Sequence, residues 1–232
     1  MELYLFLLRW IHFLAGITWI GMLYYFNFVQ TPFFAETEAP VRTGAIIKLV
    51  PRALWWFRWG AMFTFLAGIL IYIHKLAESG ADFFTTNYGA AITIGGLIGT
   101  LMFLNVWLVI WPAQQVVIAS TTQVAQGGQA LPEAASRARR AALTSRTNTV
   151  LSIPMLFYMG AASHYGGLVG QTTGPAAAAL LVVVVIIIGA VEVNALAGTQ
   201  GATKKPLDSV SGALWSGFIL SAVLFVVVKL IV

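Results

Sequence analysis

An uninterrupted helix needs about 20 apolar residues to cross roughly 30 Å of hydrocarbon, and this chain supplies six such stretches. They run from Leu3 to Val29, Trp55 to Ile73, Gly89 to Trp111, Val150 to Val169, Pro175 to Ala197 and Gly212 to Ile231. With 59% hydrophobic and only 9% charged residues, the chain departs far from the about 45–50% apolar and about 25% charged of a soluble domain. The 22 Gly, 15 Phe and 8 Trp are spread along the whole length, so the apolar excess is not one anchor on a soluble module. The expectation is an all-α integral membrane protein: residues 1–232 as a single transmembrane domain, a bundle of about six helices in contact with the lipid bilayer. The first stretch starts almost at Met1 without a basic leader or a small-residue cleavage site, and is expected to be retained as a span.

Lys and Arg choose the orientation, because cytoplasmic loops carry their excess. Arg42, Lys48 and Arg52 follow the first span, Arg137, Arg139, Arg140 and Arg146 follow the third, and Lys204 and Lys205 follow the fifth. The opposite side holds Lys75 and Lys229 alone. Both termini are therefore expected outside. The net charge of +5 is explained by this asymmetry, and nucleic-acid binding is excluded. Two inner connections are long enough for structure of their own: Pro40 to Arg52, a short basic amphipathic helix, and Pro132 to Ser145, which opens with Pro and Glu as helices prefer. Both are read as surface segments resting on anionic lipid. Gly127-Gly128 marks a turn or hinge, and no internal repeat is evident.

Ionisable groups inside a span are costly and are the default functional candidates. All three histidines fall in the outer half: His12 in the first span, His74 at the end of the second, His164 near the end of the fourth. Arg9, His12 and Gly16 share one helix face, with Arg toward the surface and Gly one turn deeper; Gly160 again lies one turn deeper than His164. An imidazole can ligate haem iron, a small residue beside it leaves room for a porphyrin plane, and an Arg nearer the surface can pair with a propionate. His12 and His164 are thus candidate axial ligands of a b-type haem, with Arg9, Gly16 and Gly160 beside it. The alternative is histidines bonded to neighbouring helices with Gly serving close packing. His74 is a weaker candidate, since its interfacial position needs no ligand role. The chain has no Cys, which removes disulfides, thiolate metal sites and c-type haem attachment, so any haem must be noncovalent. Three histidines leave haem number open.

A second polar set lies toward the inner side: Arg58, Asn105, Arg146, Asn148, Glu192 and Asn194. Glu192 needs a proton or a cation, and Arg58 or Arg146 is the obvious partner, which reads as ion pairing between helices. The functional alternative is a cavity open to the cytoplasm for a small polar or anionic molecule. No Walker loop, H-E-x-x-H, G-x-S-x-G or dinucleotide fingerprint occurs in a suitable context.

The strings RWIHFLAGITWIGMLYYFNFVQTPFF (Arg9 to Phe34), NVWLVIWPAQQ (Asn105 to Gln115), SRTNTVLSIPMLFYMGAASHY (Ser145 to Tyr165) and EVNAL (Glu192 to Leu196) resemble the membrane domain of the bacterial cytochrome c-linked urate oxidase family, also called membrane urate hydroxylase. The resemblance covers Arg9 to about Leu196. It implies a multi-pass protein of the bacterial inner membrane that oxidises urate to 5-hydroxyisourate and passes electrons to a c-type cytochrome, which in that family is fused at the C-terminus. With no Cys in these 232 residues, the expected electron acceptor is a separate c-type cytochrome or a larger membrane complex. Three readings follow: a haem b membrane oxidoreductase or electron-transfer protein with urate as the implied substrate, a noncatalytic accessory subunit, and a small-molecule transporter using the inner polar set.

Overall fold

The computed structural model describes residues 2–232, and the regular elements in them are helices. Helix α1 (Glu2–Tyr24) runs through a π-helical segment (Tyr25–Gln30) into α2 (Thr31–Glu36); α3 (Ala39–Lys48) precedes α4 (Val50–Ser79) and a 3-10 turn (Gly80–Thr85). Helix α5 (Asn87–Leu104) continues through a second π segment (Asn105–Ile110) into α6 (Trp111–Ala125). The long α7 (Ala134–His164), α8 (Gly174–Leu196), a 3-10 segment (Ala202–Asp208) and α9 (Val210–Ile231) complete the chain.

Five helical stretches among the described residues are long and apolar enough to cross a bilayer: Glu2–Glu36, Val50–Thr85, Asn87–Ala125, Gly174–Leu196 and Val210–Ile231. The expected span from Val150 to Val169 coincides with the second half of α7 only as far as His164, with Tyr165 to Val169 beyond its end, and Arg137, Arg139, Arg140 and Arg146 dilute the helix's apolar character. The structure also corrects the expected surface helix from Pro132 to Ser145. That segment is no separate element; from Ala134 it is continuous with the apolar half of α7, 31 residues in all. The basic helix expected between Pro40 and Arg52 does form as α3, with Leu49 linking it to α4. Gly127, at φ +85°, closes the turn after α6 as only glycine does readily.

Helix α7 is the central element and packs against α5, α6, α8 and α9, while α1 pairs along its length with α4. Lipid tails are as apolar as leucine, so helices associate in a membrane through close packing, and small residues permit it. The contacts follow that rule. A Cβ at Gly60 of α4 would lie 3.1 Å from the Trp19 amide nitrogen of α1, and one at Gly95 of α5 would lie 3.1 Å from Met159 Cγ of α7. Pro154 lies inside α7 and removes the hydrogen bond that the Val150 carbonyl would accept. Gly217 of α9 sits against that freed carbonyl, where a Cβ would come within 2.9 Å of it.

Candidate functional site

The two π segments share one cause. Pro32 and Pro112 each stand two residues past the end of a segment, and a proline ring clashes with the carbonyl four residues back while offering no N–H. Widening the preceding turn relieves this, and such single π turns recur at functional sites. The backbone N–H of Thr31 bonds the carbonyl of Phe26, and that of Trp111 bonds Val106, five residues back in both cases. Each widened segment carries one buried asparagine, Asn27 or Asn105.

Between these segments, at the arginine-rich end of the bundle, lies a cavity of about 220 Å³. Phe26, Asn27, Gln30 and Thr31 line it from the first π segment and its exit, Ile110 and Gln114 from the second, Ser145 and Arg146 from α7. Val50, Leu54 and Phe57 of α4 form an apolar wall, with the Phe26 and Phe57 rings 5.5 Å apart and edge to face. Asn27 is spent on the frame: its Nδ2 donates to the Leu23 carbonyl and to Ser145 Oγ, both at 2.8 Å. Arg146 is only 7% exposed and donates through Nη2 to the Asn27 carbonyl at 3.4 Å. Its Nη1 has no protein partner, and neither has Gln30 Oε1. Arg146 and Gln30 thus bring a charged donor and a neutral acceptor into the wall of the cavity, each with one atom buried and unsatisfied. At its mouth Arg139 Nη1 pairs with Asp208 at 2.7 Å, and Arg139 Nε holds the Thr199 carbonyl at 3.1 Å, which ties the connection between α8 and α9 across the opening.

The structure divides the inner polar set. Arg146 is the member that lines this cavity. Asn105, Asn148 and Glu192 form a separate buried cluster, in which Asn105 Nδ2 donates to Asn148 Oδ1 and to Glu192 Oε2 at 2.9 Å each, and Asn148 Nδ2 donates to the Met102 carbonyl at 3.0 Å. Glu192 therefore meets an amide where an arginine was expected, and its Oε1 is unpartnered. Asn194 donates to the Thr203 carbonyl at 3.2 Å and its own carbonyl accepts from Lys204; it lines a second cavity of about 320 Å³ beside α9. Arg58 stands among Trp59, Trp107 and Trp111. Sequence reasoning missed Gln30, whose signal was an amide just past the first span and three residues after Asn27, and Phe26 and Phe57, whose types do not distinguish wall from packing.

At the opposite end His12 Nδ1 lies 2.9 Å from the Thr64 carbonyl. A carbonyl only accepts, so Nδ1 carries the proton and, in the neutral ring, Nε2 is the bare nitrogen. Gly68 is held close to the ring, since a Cβ there would lie 3.0 Å from His12 Cε1. Gly16 lies one turn deeper against Thr64, and Arg9 is exposed one turn outward. His164 ends α7 exposed, and a side chain at Gly160, one turn deeper, would meet open space. His74 is already engaged, with Nε2 3.1 Å from Glu78.

The α1 and α7 helices meet where Tyr24 and Ser152 hydroxyls lie 2.9 Å apart. His12 comes twelve residues before Tyr24 and His164 twelve after Ser152, about 18 Å along each antiparallel helix at 1.5 Å per residue, so the two histidines stand at matching depth. Among the described residues no three His, Asp or Glu side chains cluster around a point that could hold a bare metal ion. Two imidazoles are the donor type that a porphyrin iron takes, because the macrocycle supplies the other four nitrogens.

Fold and site together define a helical protein of membrane-spanning type with a small arginine-lined cavity at one end and its three histidines toward the other. A family model, Urate oxidase N-terminal, matches residues 74–228, and the chain belongs to that family. No curated protein and no solved structure matches it. The matched segment holds Arg146, Glu192 and His164; His12 and Gln30 precede it.

Proposed function

We propose that the protein is a membrane oxidoreductase of the urate oxidase type, which binds urate in the arginine-lined cavity and passes electrons across the bilayer to a separate c-type cytochrome or a larger membrane complex. In this reading α7 is a sixth span, both termini are outside, and the cavity opens to the cytoplasm of a bacterial inner membrane, because the basic residues gather at its end. The observation that carries the proposal is that Arg146 and Gln30, each with a buried unpartnered polar atom, line one cavity in a member of this family.

Urate is a planar anion at neutral pH whose edge alternates N–H donors and carbonyl acceptors. Arg146 would pair with the anionic edge through a charge-assisted hydrogen bond, and Gln30 would take a ring N–H while Phe26 and Phe57 bound the ring. At about 220 Å³ the space is below the roughly 300–1,000 Å³ of drug-sized pockets and suits a small rigid molecule. Oxidation to 5-hydroxyisourate removes two electrons, adds the hydroxyl of a water and releases two protons. Haem b, held by His12 and His164 with Arg9 at its propionates, would accept those electrons one at a time. Thr64 would fix the His12 ring and leave Nε2 for the iron, Gly68 makes room for the ring itself, and Gly160 leaves open space one turn from His164. Isothermal titration of the purified protein with urate tests the cavity: wild type is expected to bind, and Arg146→Ala to lose at least tenfold in affinity. Equal affinity of the two would refute the assignment.

A further inference from the structure

Arg58 is the charge that the cavity leaves without a role. It lies eight residues into α4, about 12 Å along the helix at 1.5 Å per residue, in a stretch apolar enough to be a span. Of the eight acidic residues, none pairs with it: the ion pairs among the described residues join Glu78 to His74 and Lys75, and Asp208 to Arg139. Arg58 Nε is buried without a partner, as is Trp107 Nε1. The guanidinium carbon stands 4.0 Å from the Trp111 ring centroid, 5.2 Å from Trp107 and 5.7 Å from Trp59. Trp55 and Trp56, 48% and 59% exposed, extend the same cluster, so five of the eight tryptophans gather at the arginine-rich end, where indoles favour headgroup depth.

A guanidinium at that depth requires an anion or water. The faces of Trp59, Trp107 and Trp111 already hold the protein's own cation and are closed to a second one such as choline; the missing partner of the guanidinium is negative. A lipid phosphate is the anion present at that depth, and a fork of N–H donors suits it. We propose that Arg58 and its tryptophans bind the phosphate of an anionic phospholipid in the leaflet at the arginine-rich end, separately from the cavity.

Native mass spectrometry of protein extracted from phosphatidylcholine vesicles with and without phosphatidylglycerol tests this. Wild type is expected to retain a single phosphatidylglycerol in preference to phosphatidylcholine, Arg58→Gln to lose it, and Arg137→Gln, which removes an exposed charge elsewhere, to keep it. Should Arg58→Gln fail to fold, Arg58→Lys and Trp111→Phe replace it, each with retention expected to fall at least twofold. The proposal is overturned if wild type shows no preference, if the Arg58 variants that fold retain lipid as wild type does, if Arg137→Gln loses it equally, or if inorganic phosphate displaces it.

Discussion

Two arginines of the same inner polar set end in opposite settings, and their surroundings decide what each can do. Arg146 turns into the bundle with one nitrogen spent on the Asn27 carbonyl and one free; Arg58 turns onto indole faces. A hydrogen bond to a charged group contributes roughly 1.5–3 kcal/mol, so Arg146→Ala should weaken urate binding by about 10- to 150-fold at roughly 1.4 kcal/mol per decade. Arg146→Lys should recover only part, because an ammonium lacks the planar fork. Gln30→Glu places a carboxylate beside an anionic ligand and should abolish binding measurable by titration, whereas Glu192→Gln, outside the cavity lining, should leave affinity within about twofold. At the other end, His12→Ala and His164→Ala should each remove or greatly alter the Soret band. His74→Ala, already committed to Glu78, should leave haem bound. Unchanged spectra in both the His12 and His164 variants, with haem present, would reassign the ligands.

Among the helices, α7 was the hardest to read from sequence. Hydropathy placed the other spans within a few residues of one end because lipid demands uninterrupted apolar length. In α7 the polar residues Arg146, Thr147, Asn148 and Thr149 are all buried, so a central helix resembled a surface segment followed by a span. The π segments were legible only as Asn27 and Asn105 ahead of Pro32 and Pro112, and their effect, a cavity between two widened turns, depends on which helices meet. Pattern along one helix put Arg146 at the inner end but could not say that it would bond Asn27 and share a cavity with Gln30, more than a hundred residues away. The notch at Pro154 gives this element its own test. Gly217→Ala would place a Cβ 2.5 Å from Ile153 Cδ1 and 2.9 Å from the Val150 carbonyl; the isoleucine tip can move, but the backbone oxygen cannot move cheaply. Overpacking of this kind costs about 1–3 kcal/mol, so the variant should unfold at lower denaturant than wild type while Gly21→Ala, which meets nothing, should not.

Across the whole molecule the proposed chemistry is directional: anion cavity at the basic end, histidines at the other. That polarity requires the α6–α7 turn inside and the α7–α8 connection outside. In intact cells an impermeant maleimide should label Gln171→Cys and spare Gln126→Cys; the reverse pattern would place the cavity on the wrong side for a cytoplasmic substrate. The central claim is that urate in the cavity delivers electrons to haem held by His12 and His164, and the visible spectrum of the haem-loaded protein on addition of urate, with air excluded, tests it most directly. Wild type is predicted to show the reduced haem b bands, and Arg146→Ala, with equal haem content, to stay oxidised. A wild-type spectrum that does not respond to urate, with or without an added c-type cytochrome, would contradict the account.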